Sequence, residues 1–374
     1  MIRAPSKTET KSRFPSRSAA ERYRLRAGRA IVEAADQVLA GRAADRHKAA
    51  ALEMKFQALK VLDGLGDSAA RGAAERLAVE LQSDANAAVA LTALRLCLAD
   101  RLPAWRTLPE TQKAATLDGV AGLVVSHPPS VDQLTLLTDL ADKLGDTPDR
   151  GRVLRAVEPL LPRFEPLARA GRGAVATGGG SGGGAAAEKL AALRGVLRRL
   201  RLPGEPIEVD GRLLSGEPVD WAGYRGKVVL IDFWAAWCGL CHAELPNLQR
   251  LHKAYAGRGF AVLGVCLDED PRRAEAFLAR HGVGWATLLP GDEDQRGWRH
   301  PMARRYGVRD LPRAILVGRD GRVIDTNARG EALEGQLARL LGAQEPPPPG
   351  GQAASGVAES DAAPATAATR VGGG

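Results

Sequence analysis

Two hydrophobic periodicities divide the chain. From about residue 20 to 170 apolar side chains recur at helical spacing. Ile31, Ala34, Ala35, Val38 and Leu39 fall at i, i+3, i+4, i+7 and i+8, and Leu52, Phe56, Leu59 and Leu62 continue the stripe in the next segment. Gly64-Leu65-Gly66-Asp67-Ser68 then interrupts the pattern and offers a cap for a third helix starting near Ala69. Further helices are predicted near 86–99, 111–125, 131–144 and 150–162, separated by Pro, Gly and Asp. Short helices joined by short turns predict an all-α bundle or hairpin stack over 20–170, without a repeat of fixed period. His47 and Trp105 stand isolated there, and no catalytic constellation is visible.

From residue 203 the pattern changes. The β-branched, apolar run Val228–Trp234 predicts a buried strand, because an interior strand needs no polar alternation. Leu245, Leu248 and Leu251 then give one apolar face of a helix over 239–256. Strand 259–266, helix 271–281, strand 285–289, a short helix near 301–306, strands 313–318 and 322–326 and a helix over 331–342 follow. Arg319-Asp320-Gly321 joins the last two strands as a hairpin turn, and the segment from Pro206 to Gly226 predicts another hairpin ahead of the first strand. The expected architecture is therefore an α/β sandwich over 203–343, a central mixed sheet flanked by helices, preceded by a separate all-α domain.

Composition marks the boundaries. Residues 171–184 are dominated by glycine and read as a flexible linker, with a root-mean-square span of about 20 Å. A short basic helix over 185–202 follows, so the two halves are expected to be tethered rather than rigidly docked. Residues 1–19 read as a disordered basic arm, and residues 344–374, which contain the proline run 346–349, as a disordered Pro/Ala/Gly tail. Of the net charge of +8, residues 1–202 carry a surplus of ten basic residues, whereas 203–343 are neutral. The α/β half is thus not electrostatically aimed at nucleic acid, and the basic arm lacks the interleaved aromatics that stack bases. No run approaches the 18 apolar residues of a membrane span, and no apolar core of a leader follows the basic arm.

Four cysteines do not make a disulfide framework in 374 residues. Cys97 and Cys266 lie in apolar runs and read as buried small hydrophobes. Cys238 and Cys241 form a Cys-x-x-Cys pair where a strand turns into a helix. There the unpaired N–H groups and the positive end of the helix dipole favour a thiolate at Cys238. Neither a metal nor a cofactor is expected: no second Cys-x-x-Cys completes a four-sulfur site, and the neighbours of His242 offer no fourth ligand.

The stretch Phe233-Trp234-Ala235-Ala236-Trp237-Cys238-Gly239-Leu240-Cys241-His242-Ala243-Glu244-Leu245-Pro246, with Gly226-Lys227 before the strand, resembles the active site of thioredoxin-like disulfide oxidoreductases of the TlpA/ResA type. The resemblance covers about 140 residues and leaves the helical half outside it. It implies a dithiol–disulfide couple in which Cys238 attacks a protein disulfide and Cys241, expected to be the less exposed, resolves the mixed disulfide. The more expected direction is reduction of the client. Asp232 corresponds to the buried acid behind the second cysteine and Glu244 to the family's glutamate; either would take the Cys241 proton. As a first-turn acid, Glu244 is equally explained by the helix dipole. Pro312 corresponds to the cis-proline facing the cysteines, with Leu311 pairing backbone-to-backbone with substrate. Trp237, Gly239 and Leu240 complete the substrate groove. Two positions depart from the family: Leu240 stands where proline is usual, which bears on redox potential, and Arg313 where threonine is common, which bears on clients. Protonated His242 would stabilise the Cys238 thiolate.

Two other readings compete. A thiol peroxidase of the peroxiredoxin class shares the fold, but Ala235 occupies the place of its Thr or Ser. A helical interaction protein carrying a redox-regulated domain would place the main role in residues 20–170. Expected partners are protein disulfide or dithiol clients, an upstream thiol donor and a partner for the helical domain. The chain as written reads as cytoplasmic, while the resemblance implies the cell envelope.

Overall fold

The computed structural model describes residues 16–174 and 181–342. The first half is built of α1 (Arg17–Ala40), α2 (Asp45–Gly64), α3 (Ala73–Glu80), α4 (Ala87–Arg101), α5 (Glu110–Ser126), α6 (Val131–Gly145), α7 (Arg150–Val157) and α8 (Glu165–Ala174). Local chemistry sets the boundaries. Asn86 accepts from the Ala88 and Val89 N–H groups, and Ser130 and Gln133 form a reciprocal capping box on α6. The third helix begins at Ala73 rather than near Ala69, because Gly72 holds a left-handed φ of 63° and Asp67 ties the Ala69 N–H into a turn. The helix predicted to reach 162 is α-helical only to Val157; Pro159 and Pro162 pass it into a tighter helix over Glu158–Phe164. Trp105 is not idle: its buried Nε1–H donates to Asp149 at 2.9 Å.

Helices α8 and α9 (Ser181–Arg201) both run into the glycine-rich stretch expected to be linker, and 175–180 lie outside the described residues. So do residues 1–15 of the basic arm and the tail from 343; α1 already begins at Arg17. The basic helix of the sequence reading is α9, and its other face is apolar. Leu190, Leu193, Val196, Leu197 and Leu200 join Leu134, Leu137, Leu140, Leu144 and Phe164 in one buried cluster. By packing, α9 belongs to the helical half.

The second half holds β1 (Val228–Trp234), α10 (Gly239–Tyr255), β2 (Phe260–Cys266), α11 (Pro271–Arg280), β3 (Thr287–Leu288), α12 (Pro301–Arg305), β4 (Arg313–Val317), β5 (Val323–Asp325) and α13 (Gly330–Leu341). The sheet order is β3-β2-β1-β4-β5. β1 pairs parallel with β2, Val228 opposite Phe260, and antiparallel with β4, Ile231 opposite Ile315. Apolar side chains bury both sheet faces, one around Ile231, Phe233 and Val265, the other around Leu230, Leu251 and Leu316. This is the thioredoxin-like mixed sheet with flanking helices. The hairpin expected over 206–226 is reduced to isolated bridges, Arg212 with Pro218 and Leu213 with Leu288. Prolines at 203, 206 and 218 supply no N–H to extend a ladder. Among the described residues no helix is long and apolar enough to cross a membrane.

The two halves meet through α6 and α9. Asp139 and Asp142 of α6 and Asp146, its C-cap, form one stripe. Asp139 pairs with Arg309 at 2.8 Å, Asp142 with the fully buried Arg199, and Asp146 with the buried Arg313. Arg199 also donates to the Tyr306 and Gly307 carbonyls, at 3.1 and 2.7 Å. Beside it the backbones touch: a Cβ on Gly195 would lie 2.5 Å from the Arg304 carbonyl oxygen.

Candidate active site

β1 ends at Trp234 and the chain turns through Ala235–Trp237 into α10, with Cys238 as the N-cap at φ −85° and ψ 98°. The cysteine sulfurs are bonded at 2.10 Å, with Cα atoms 5.3 Å apart. The Cys241 N–H points at Cys238 Sγ, 3.1 Å away. An orphan donor of the first helical turn is thus aimed at the sulfur that would carry the negative charge after reduction. The sequence reading expected Cys241 to be the less exposed cysteine; both are buried, at 6% for Cys238 and 8% for Cys241.

Two contacts hold the turn from opposite sides. The Ala236 N–H donates to Asp268 Oδ2 at 2.7 Å, and His242 Nε2–H donates to the Ala236 carbonyl at 2.8 Å. His242 therefore addresses the backbone of the turn rather than a sulfur, and its ring packs on Phe277 with centroids 4.7 Å apart. Asp268 was missed in the sequence. It is buried two residues past the end of β2 and also accepts from the Cys266 thiol at 3.2 Å. An acid just beyond the strand that neighbours β1 was the available signal. Burial pushes the Cys266 and Cys97 thiols up, which keeps both protonated and unreactive. Gly264 makes room for this packing, since a Cβ there would lie 2.7 Å from Thr287 Oγ1 and 3.0 Å from Trp234 Nε1.

A narrow cleft of about 30 Å³, room for a water or two, brings Cys241 together with Asp232, Glu244 and Pro312, closed by Trp234, Phe277 and Trp285. Asp232 is half-buried on the central strand and lines this cleft. Burial first, then the nearby Glu244 charge, raise its pKa to about 7, against a smaller opposing pull from Arg329. Glu244 has a task of its own: Oε1 accepts the Gly330 N–H at 2.7 Å, which ties α10 to the N-terminus of α13. The Leu311–Pro312 bond is cis. Trp237 and Leu240 face outward on the rim, 53% and 69% exposed, and Gly239 is exposed between them. Leu311 is half-buried beside the buried Pro312. Arg313 ends among the carboxylates of Asp146, Asp310 and Asp142. Burial alone would lower its pKa, but Asp146, Asp310 and Asp142 outweigh that and hold it charged. Among the described residues no cluster of ligating side chains could hold a metal ion.

The family model for redoxins matches residues 203–340. The C-terminal domain is a redoxin of the TlpA/ResA type. In sequence this redoxin domain is similar to the thiol–disulfide oxidoreductase ResA of Bacillus anthracis, 27% identical over 130 residues, 34% of this chain and 71% of that protein. ResA of Geobacillus thermodenitrificans is 31% identical over 110 residues, 29% of this chain and 59% of that protein. Among solved structures, a putative thiol:disulfide interchange protein DsbE from Chlorobium tepidum is 30% identical, covering 37% of this chain and 95% of that one, with a TM-score of 0.32. The thioredoxin domain of a Bacteroides vulgatus thiol–disulfide oxidoreductase is 26% identical over 37% and 97%, with a TM-score of 0.34. The redoxin domain is a thiol–disulfide oxidoreductase domain, and the family match begins where the helical half has ended.

Proposed function

We propose that the Cys238–Cys241 pair exchanges with disulfides of client proteins and works chiefly as their reductant. In the reduced enzyme the Cys238 thiolate attacks one client sulfur, and the client's other sulfur leaves as a thiolate. Asp232, ionised in part near neutrality, takes the proton of Cys241 across the cleft. The Cys241 thiolate then attacks Cys238 Sγ, and the second client sulfur leaves. Two electrons have passed to the client, and the Cys238–Cys241 disulfide remains. Glu244 acts through Asp232, by keeping its proton affinity high, and through the placement of α13. Trp237, Gly239, Leu240 and the backbone of Leu311 form the surface a client meets. The observation that carries this reading is the Cys241 N–H directed at Cys238 Sγ beside a cleft that holds Asp232. The direction of electron flow follows the resemblance to ResA-type proteins.

The test equilibrates the full chain in dithiothreitol and glutathione buffers of known potential and follows the thiol state of Cys238. A two-electron transition near the potential of thioredoxin, about −270 mV, supports a reductant. A value near −120 mV would make it an oxidant. A transition that survives Cys241→Ser would overturn the couple itself.

A further inference from the structure

The redoxin reading leaves the helical half without a task, yet that half is docked beside the Leu311–Pro312 segment. Arg309 and Arg313, on either side of Leu311–Pro312, end on Asp139 of α6 and on Asp146 at its C-cap. The Gly195–Gly307 contact is backbone against backbone, and a Cβ on Gly307 would lie 2.2 Å from the Val196 nitrogen. The wall that α6 and α9 present to the redoxin domain is thus a defined surface.

Between that wall and the redoxin domain lies a cleft of about 840 Å³, lined by Thr138 of α6, by α9 and by the segment from Trp298 to Arg309. Trp298 links it to the active-site rim. Trp298, 44% exposed, lines the cleft and packs against Trp237, with ring centroids 6.0 Å apart, and Trp237 adjoins Cys238. Small side chains such as Ala191 keep the α9 side open. Among the described residues its charge is one-sided: Lys189, Arg299, Arg304 and Arg309 face the one carboxylate of Glu188, and Asp139 pairs with Arg309.

We propose that this interdomain cleft seats an extended, acidic segment of the client protein next to the disulfide under attack. The helical domain is then a substrate-binding element of the oxidoreductase. The paired tryptophans offer the client a rigid aromatic anchor, and the cations select its charge. The proposal rests on the thiol–disulfide reading above.

The experiment uses the reduced full chain and three oxidants. Two are peptides with one internal disulfide, flanked on one side by four aspartates or by four lysines. The third is bis(2-hydroxyethyl) disulfide, uncharged and too short to reach the cleft. The acidic peptide is expected to react about tenfold faster than the basic one at low salt, and the preference to shrink as salt rises. Arg299→Glu with Arg304→Glu should invert it. Ala191→Trp, which fills the cleft without adding charge, should slow both peptides and leave the small disulfide alone. Arg22→Glu with Arg24→Glu, on α1, changes the net charge equally and should keep the preference. Equal rates for the two peptides, or a preference lost with the α1 changes and kept with the cleft changes, would overturn the proposal. Failure of wild type to react with the small disulfide would instead overturn the thiol–disulfide reading.

Discussion

Asp232→Asn tests the buried acid through stability and activity together. An aspartate that ionises near 7 in the folded protein and at its ordinary 3.8 when unfolded costs stability wherever it must be charged. Below 3.8 both states hold the proton and nothing is lost. Between 3.8 and about 7 only the unfolded chain ionises, so stability falls as pH rises. Above that window the loss is complete, at about 4 kcal/mol, since each tenfold in proton affinity is worth about 1.4 kcal/mol. Asparagine keeps the shape and never ionises. The variant should therefore gain about 0.5 kcal/mol over wild type near pH 4, about 2 near pH 5.5 and about 4 near pH 8. Urea unfolding of the oxidised full chain across that range measures the gain. The same substitution should slow release of product from a Cys238 mixed disulfide by about a hundredfold or more near pH 7, because Cys241 loses its base. A gain independent of pH would refute the ionisation cost, and unchanged resolution would refute the proton transfer.

Three further outcomes follow from contacts around the site. Glu244→Gln should keep the bond to the Gly330 N–H and remove the charge that raises Asp232, so the stability lost as pH rises past 3.8 should be smaller and complete at a lower pH; Glu244→Ala should also cost about 1 kcal/mol through the lost cap. Asp268→Ala strands the Ala236 N–H and should cost about 1–3 kcal/mol, with amide exchange at Ala236 accelerated; unchanged protection would mean that the turn is held by His242 alone. Gly307→Ala places a Cβ at φ 56° against the Val196 backbone and should loosen the interface of the two halves. Limited proteolysis between the halves would detect this, and protection equal to wild type would contradict the close approach.

The redoxin half was legible because its elements are short and its signals local. A β-branched run, a Cys-x-x-Cys and an Asp-Gly turn each fix a strand, a helix start or a hairpin without distant contacts. The boundaries of β1, those of β2 to within one residue, and the position of Asp232 on the central strand follow from that pattern alone. The partners of Arg313 and Glu244 were not legible: the first is met by α6, 167 positions earlier, and the second by Gly330, 86 positions later. Asp268 was hidden because one acid after a strand looks like an ordinary loop residue. Basic residues masked the apolar stripe of α9, and its place in the helical core depends on helices that no local window contains.

The position of α9 also bears on synthesis. It lies after the glycine-rich stretch in sequence, yet Leu190, Leu193, Val196, Leu197 and Leu200 fill the core built by α6 and the segment around Phe164. Until α9 has been synthesised, that core lacks these five side chains. That same helix carries Arg199 toward Tyr306 and Gly307, which have not yet been made. Until residues 306 and 307 are made, Arg199 has its ion pair with Asp142 but neither carbonyl, so the α9 surface is completed only by the redoxin domain that docks on it.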